Sequence, residues 1–222
     1  MMINLRIIGE RMTDVFESFG YNILSLDDFV KWVLEYMNDG YYFLGNHSRT
    51  VATVSCAILD KLGINGQDKE IVKYAALLHD IGKLSIPKDI ILAPRQLSDK
   101  EFEIIKEHPV IGFNKLSHIE SFVDINLLVL YHHYRNGFGY PQDTKVETTS
   151  EPNMLLVDIL TVADAYSAIR EKRIYTNLNI KHQDAIKILK DEKEIKNQGI
   201  NQEIVDVLEK ISSLENTLKF EF

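Results

Sequence analysis

Seven histidines occur in this 222-residue chain, and five of them form one series with two aspartates: His47, His79-Asp80, His108, His132-His133 and Asp164. Neutral imidazoles and carboxylates are the usual donors of a hydrolytic metal centre. The series runs as a His-Asp pair followed by Gly82-Lys83, then a His-Pro, a His-His and a late Asp on an apolar segment. Such a pattern predicts a metal cluster, a reaction type and a fold together.

The segments around these residues read as helices. Apolar residues recur at helical spacing over 12–19 and 26–38, the second capped by Ser25 and ended by Asn38-Asp39-Gly40. His47 opens a segment through Val51, Val54, Ile58 and Leu62. Residues 68–80 deliver His79-Asp80 at the end of a helix, and Gly82 breaks it. Ser98 and Glu101 make a capping box. Pro109 stops that helix at Glu107 or His108 and suits the first turn of the next, which runs to about Leu116. Residues 121–134 end in His132-His133. The polar stretch 135–152 is a loop, and the apolar segment 153–170 carries Asp164. Two amphipathic helices, 182–193 and 201–218, close the chain. The strand signal is weak throughout, so the expected class is all-α.

Burying imidazoles and carboxylates on apolar helices is costly unless something pairs them. A metal removes that cost for His47, His79, Asp80 and Asp164 together. Asp80 has two oxygens for two ions, and His108, His132 and His133 complete a second position. Two ions roughly 3.5–4 Å apart share a hydroxide and clamp a phosphate. Lys83, three residues after Asp80, faces the same cavity and balances charge on a phosphoryl group. Donors that are all imidazole and carboxylate suit iron, manganese or other divalent ions.

The net charge of -8 argues against a nucleic-acid polymer as partner. A lone cysteine, Cys56, excludes an intrachain disulfide and fits a reducing cytoplasm. Residues 1–11 do not read as a signal peptide, and no apolar run is long enough to span a membrane.

With these residues in view, the chain resembles the HD-GYP family within the HD superfamily of metal-dependent phosphohydrolases. His79-Asp80-Ile81-Gly82-Lys83-Leu84-Ser85-Ile86-Pro87 is similar to its H-D-I-G-K-x-x-I-P. His108-Pro109-Val110-Ile111-Gly112 is similar to H-P-x-x-G, Gly137-Phe138-Gly139-Tyr140-Pro141 to G-x-G-Y-P, and Val162-Ala163-Asp164-Ala165-Tyr166 to V-A-D-x-Y. Arg173 and Tyr175 stand at the spacing of a following R-P-Y element. The resemblance covers about residues 45–190. It implies an all-helical HD-domain bundle over 45–222, with residues 1–44 as a short N-terminal helical extension. It implies two or three metal ions and hydrolysis of cyclic di-GMP to pGpG or GMP by a metal-bridged hydroxide. By position, His47, His79, Asp80 and Asp164 would hold one ion, and Asp80, His108, His132 and His133 another. Asp80 and Lys83 would be the catalytic pair, with Lys83, Arg173, Gly137 and Tyr140 on the substrate.

The departures are specific. The family usually reads H-H-E-x-x-D-G-x-G-Y-P, and here Tyr134 replaces the Glu and Asn136 the Asp. Ser167 stands where an Asp usually follows V-A-D-x-Y. Phe43 stands where three-metal members carry a Glu. The seven ligands for two ions are all present, which favours a dinuclear site. Missing carboxylates leave two alternatives open: a degenerate member that binds a cyclic dinucleotide or a protein partner without catalysis, and a phosphohydrolase acting on another nucleotide. A homodimer through the final helices is a further partner the sequence allows. His118 and His182 match no motif and read as solvated surface residues.

Overall fold

The computed structural model describes residues 26–117, 119, 122–135, 138–141, 148, 150–171, 180–191, 199–212 and 214. Ser25, the expected helix over 12–19, His118, Asn136, Gly137, Arg173 and Tyr175 lie outside them.

Helix α1 spans Leu26–Leu62 with one non-helical residue, Tyr41 (φ −149°, ψ 56°). The expected break at Asn38-Asp39-Gly40 is thus a kink one residue later, after which the helix resumes at once. Close packing of the two halves explains this. A Cβ at Gly45 would stand 2.8 Å from the Leu34 carbonyl oxygen and overlap the Asn38 side chain. Asp27 and Asp28 in the first turn suit the helix dipole. Phe29, Val33, Met37 and Leu44 are buried in the same core as Val51 and Ile58. The boundary expected between residues 44 and 45 therefore falls inside this continuous element.

Helix α2 (Gln67–Leu78) ends at His79, and Asp80 leads into a 3-10 turn, Ile81–Ser85. A single-turn helix α3 (Lys88–Ile91) and then α4 (Asp99–Lys106) follow. At α4 the capping box forms: the Ser98 amide donates to Glu101 Oε2 at 2.8 Å and the Glu101 amide to Ser98 Oγ at 3.4 Å. Helix α5 (His108–Leu116) carries Pro109 in its first turn, and α6 spans Val123–Tyr131.

The loop after α6 contains a two-residue antiparallel pair, β1 (Tyr134–Arg135) with β2 (Phe138–Gly139). Gly139 at φ +81° meets the conformational demand of that turn. A Cβ there would also overlap the His133 carbonyl. The described architecture is otherwise helical, completed by α7 (Met154–Glu171), α8 (His182–Lys190) and α9 (Gln202–Glu209). The last is shorter than the helix expected over 201–218.

Helix α7 is the axis. Leu156, Val157, Ile159, Leu160, Val162, Ala163 and Tyr166 are all buried on it, which marks a helix surrounded by others. Helices α1, α2, α6, α8 and α9 pack against it, and α5 packs on the 3-10 turn. In α6, Leu128, Val129 and Leu130 are fully buried, and each such side chain contributes about 1.5–3 kcal/mol. Asn126, also buried, donates from Nδ2 to the Phe113 carbonyl at 3.0 Å and ties α6 to α5. No helix of the described residues is long and apolar enough to cross a membrane.

One expectation fails here. His182 is 1% exposed, not a surface residue. Its Nε2 faces the Glu209 carbonyl at 3.3 Å, so the ring proton belongs there, and Tyr166 Oη donates to Nδ1 at 2.8 Å. Arg170 in turn donates to Tyr166 Oη at 2.7 Å. The histidine is a satisfied core group joining α7, α8 and α9. Its own amphipathic helix presents it at the first buried position, so lack of a motif did not mean exposure.

Candidate metal centre

The C-terminal ends of α2 and α6, the N-terminus of α5 and the middles of α1 and α7 converge on one point. They carry His79-Asp80, His132-His133, His108, His47 and Asp164 respectively. Imidazole centroids there lie 5.3 Å apart for His47 and His79, 5.0 Å for His79 and His132, and 5.2 Å for His108 and His133. The structure thus gathers all seven residues expected as ligands. Three overlapping groups have donor atoms within 4.8 Å of one another: His108, His132 and His133; His47, His79 and Asp164; and His79, Asp80 and His132.

The backbone orients the rings. Nδ1 of His79, His108 and His132 lies 2.8, 2.8 and 2.7 Å from the carbonyls of Ala76, Ile105 and Val129. A carbonyl only accepts, so each Nδ1 carries the proton. In each case the carbonyl belongs to the residue three earlier, in the last turn of a helix, where carbonyls lack the usual amide four residues on. Burial, aided by Lys83, lowers the His108 pKa to about 4. Burial and the neighbouring His133, His79 and His108 hold His132 well below the usual imidazole range, and burial does the same to His133. Neutral rings protonated on Nδ1 leave Nε2 of His108 and His132 as lone pairs. These two atoms face each other at 3.2 Å.

The carboxylates are ionised. Burial opposes charge on Asp80, yet His79, Lys83, His108 and His47 hold its pKa well below the ordinary value. Asp164 is similar: against burial, the hydrogen bond from His47, with His79 and His133 beside the carboxylate, holds its pKa well below the ordinary value. Asp80 Oδ2 accepts from Lys83 Nζ at 2.7 Å and lies 3.5 Å from His79 Nε2. Asp80 Oδ1 lies 3.3 Å from His108 Nε2, an approach that is no hydrogen bond because that nitrogen has no proton. Asp80 Oδ1 and His79 Nε2 are therefore buried without any hydrogen-bond partner. Orphaned acceptors of this kind are rare and call for a ligand. Facing lone pairs, neutral imidazoles and ionised carboxylates in a water-excluded site fit a divalent cation.

His47 behaves differently. Its Nε2 is 3.0 Å from Asp164 Oδ1 and its Nδ1 is 2.7 Å from Glu171 Oε2. Burial works against charge on the ring, but the two carboxylates outweigh it and raise the pKa to about 10. A proton on Nε2 here takes the place a cation would take. For metal-stripped protein the sign follows directly. This raised pKa contributes stability that is fully present below about pH 6.5 and is lost as pH rises toward 10. Thermal melts of stripped protein should show falling midpoints over that window, and a flat profile would contradict the ion pair.

Around the donors, Tyr140 packs against His133 with centroids 4.6 Å apart and ring planes tilted by 37°, at the site's edge. Lys83 has a side chain 21% exposed, so it can reach a ligand in the mouth. Thr161 Oγ1 donates to the His132 carbonyl at 2.7 Å and fixes the end of α6. Phe43, one turn before His47, packs against the core and brings no oxygen. Tyr41 is core as well. Ser167 spends its hydroxyl on the Ala163 carbonyl at 2.8 Å, and Tyr134 lies against Tyr131. Arg173 and Gly137, expected at the substrate, are outside the described residues. Glu171 was not anticipated. The only sequence cue to it is a carboxylate seven residues after Asp164, a spacing that shares a helix face.

The model of the HD domain family matches residues 32–196. The chain belongs to that family. The HD domain of the L. monocytogenes phosphodiesterase PgpH, solved in complex with cyclic-di-AMP, superposes with a TM-score of 0.59 at 19% identity. The match covers 86% of this chain and 98% of that one, and it establishes the shared fold. A cyclic di-GMP phosphodiesterase of Thermotoga maritima is 36% identical over 159 residues, 68% of this chain and 42% of that protein. The 3'3'-cGAMP-specific phosphodiesterase 3 of Vibrio cholerae is 30% identical over 134 residues, 60% of this chain and 28% of its own length. The chain spans less than half the length of these relatives.

Proposed function

We propose that this protein is a metal-dependent phosphodiesterase acting on a cyclic dinucleotide, with cyclic di-GMP as the first candidate and two divalent ions, iron or manganese, as cofactor. The observation that carries the reading is the position of Asp80. Its carboxylate lies between the two histidine groups, 3.5 Å from His79 Nε2 and 3.3 Å from His108 Nε2, with one oxygen lacking any hydrogen-bond partner. One ion would be held by His47, His79, Asp80 and Asp164, the other by Asp80, His108, His132 and His133. Two relatives named for different cyclic dinucleotides support the substrate class. The single unpaired Cys56 supports a cytoplasmic setting.

When bound, the ions would supply Lewis acidity to a phosphoryl oxygen and acidify a water toward neutral pH. The residues do the rest. The backbone carbonyls of Ala76, Ile105 and Val129 hold three rings with Nε2 aimed inward. Asp80 and Asp164 stay ionised despite burial. The buried floor excludes bulk water, which strengthens each electrostatic contact. Lys83 has three ammonium protons; one serves Asp80, and the others are available to a nonbridging phosphate oxygen. Tyr140 offers a ring face to a base. No covalent intermediate on the protein is required.

Lys83→Met should lower kcat by about tenfold to a thousandfold while leaving the bound metal content unchanged. Steady-state kinetics with metal analysis checks it, and loss of metal in this variant would reassign Lys83 to holding Asp80. The overall reading is tested by metal analysis of purified protein and hydrolysis assays on cyclic di-GMP, 3'3'-cGAMP and a panel of linear nucleotides. Linear dinucleotide or mononucleotide product from a cyclic substrate supports it. Turnover confined to another nucleotide favours the broader phosphohydrolase reading. Metal without turnover of any of these favours a protein that binds without catalysis, an alternative motivated by Tyr134, Asn136 and Ser167 in place of carboxylates.

A further inference from the structure

We infer that Glu171 is the positioning residue for the metal-facing imidazole of His47, and that it replaces, one helical turn later, a carboxylate absent at Ser167. The inference rests on the metal-dependent reading above. Its geometry lies on one helix. Asp164, Ser167 and Glu171 are spaced by three and four residues, so they share one stripe of α7. That stripe faces His47 on α1. Asp164 Oδ1 meets one ring nitrogen at 3.0 Å and Glu171 Oε2 meets the other at 2.7 Å. Two carboxylates about two turns apart thus bracket a single ring.

Ser167, between them, is fully buried and donates to the Ala163 carbonyl. The His47 ring nitrogens instead meet Asp164 and Glu171. Helical side chains lean toward the N-terminus, so the longer Glu171 reaches back over the Ser167 level. The other three rings with a fixed Nδ1 use carbonyls three residues earlier, on their own chain segment. His47 lies within α1, away from its C-terminal turn, where the helix's own amides occupy the carbonyls. It needs an acceptor from another element, and Glu171 supplies it. Such partners fix the ring's orientation and tautomer and raise its basicity as a ligand.

The test measures Mn2+ binding to purified, metal-stripped protein by calorimetry, with circular dichroism as a check on folding. Glu171→Ala should bind Mn2+ about ten to a hundred times more weakly. Adding Ser167→Asp to that variant should restore most of the affinity, because the new carboxylate stands on the same stripe beside His47. Wild-type affinity in Glu171→Ala overturns the inference. So does a loss that Ser167→Asp leaves unchanged while helix content is preserved. A wild-type protein that binds no Mn2+, Fe2+ or other divalent ion would overturn the metal-dependent reading itself, a separate result from either of these.

Discussion

Asp80→Ala should abolish turnover, with a loss on the order of a thousandfold or more, and should strip the protein of its metal. The carboxylate is in contact with His79, His108 and Lys83 together, and it is fully buried. Without it the two halves of the donor set have no shared member. The repulsion between facing lone pairs then lacks the adjacent negative charge that helps attract a cation. The fold should survive, because Lys83, left without its partner, is near enough to the surface to reach water. Metal content by mass spectrometry and initial rates on the best substrate of the panel report the two losses. A variant with full metal-dependent turnover would exclude Asp80 as the centre of the site. Asp80→Asn keeps the shape and one oxygen but removes the charge, and it should fall close to the alanine variant.

Gly82→Ala should damage both the fold and the site. An added Cβ would overlap the His108 carbonyl and stand 2.8 Å from the Gly112 amide nitrogen. Both obstacles are backbone, so no rotamer change relieves them. The 3-10 turn and α5 must separate, and overpacking of this kind costs about 1–3 kcal/mol or more. His108 sits at the first position of α5, so the same displacement moves its Nε2 away from Asp80 and His132. Reduced thermal stability and weakened metal binding should appear together. Thermal melts with and without Mn2+ measure both, and an unchanged midpoint would exclude a tight backbone contact between the 3-10 turn and α5.

Much of the site was readable because its determinants are local. His79-Asp80 follows an apolar helical period and precedes Gly82. Pro109 ends one helix at Glu107 or His108 and suits the first turn of the next. His132-His133 ends an apolar run. Each residue was placed at a helix terminus by signals within a few positions of it. The helices themselves followed for the same reason, including the capping box at Ser98 and Glu101.

Other features depend on distant partners and had no local signature. His182 looked solvated, yet it is buried against Tyr166 and the Glu209 carbonyl, contacts supplied by α7 and α9. Glu171 drew no expectation from the sequence, and its partner lies 124 residues away. The kink at Tyr41 reflects how closely Gly45 lets two helical segments approach, which no periodicity reveals.

The amino-acid sequence by itself determined the helical class, the seven candidate donors and the helix ends that present five of them, because caps, prolines and hydrophobic periods act over one or two turns. Tertiary structure alone decided that the donors meet, which ring nitrogens face inward, and that Glu171 stands behind His47. Those facts arise from packing between elements far apart in the chain, where close approach and the need to satisfy every buried polar atom select one arrangement.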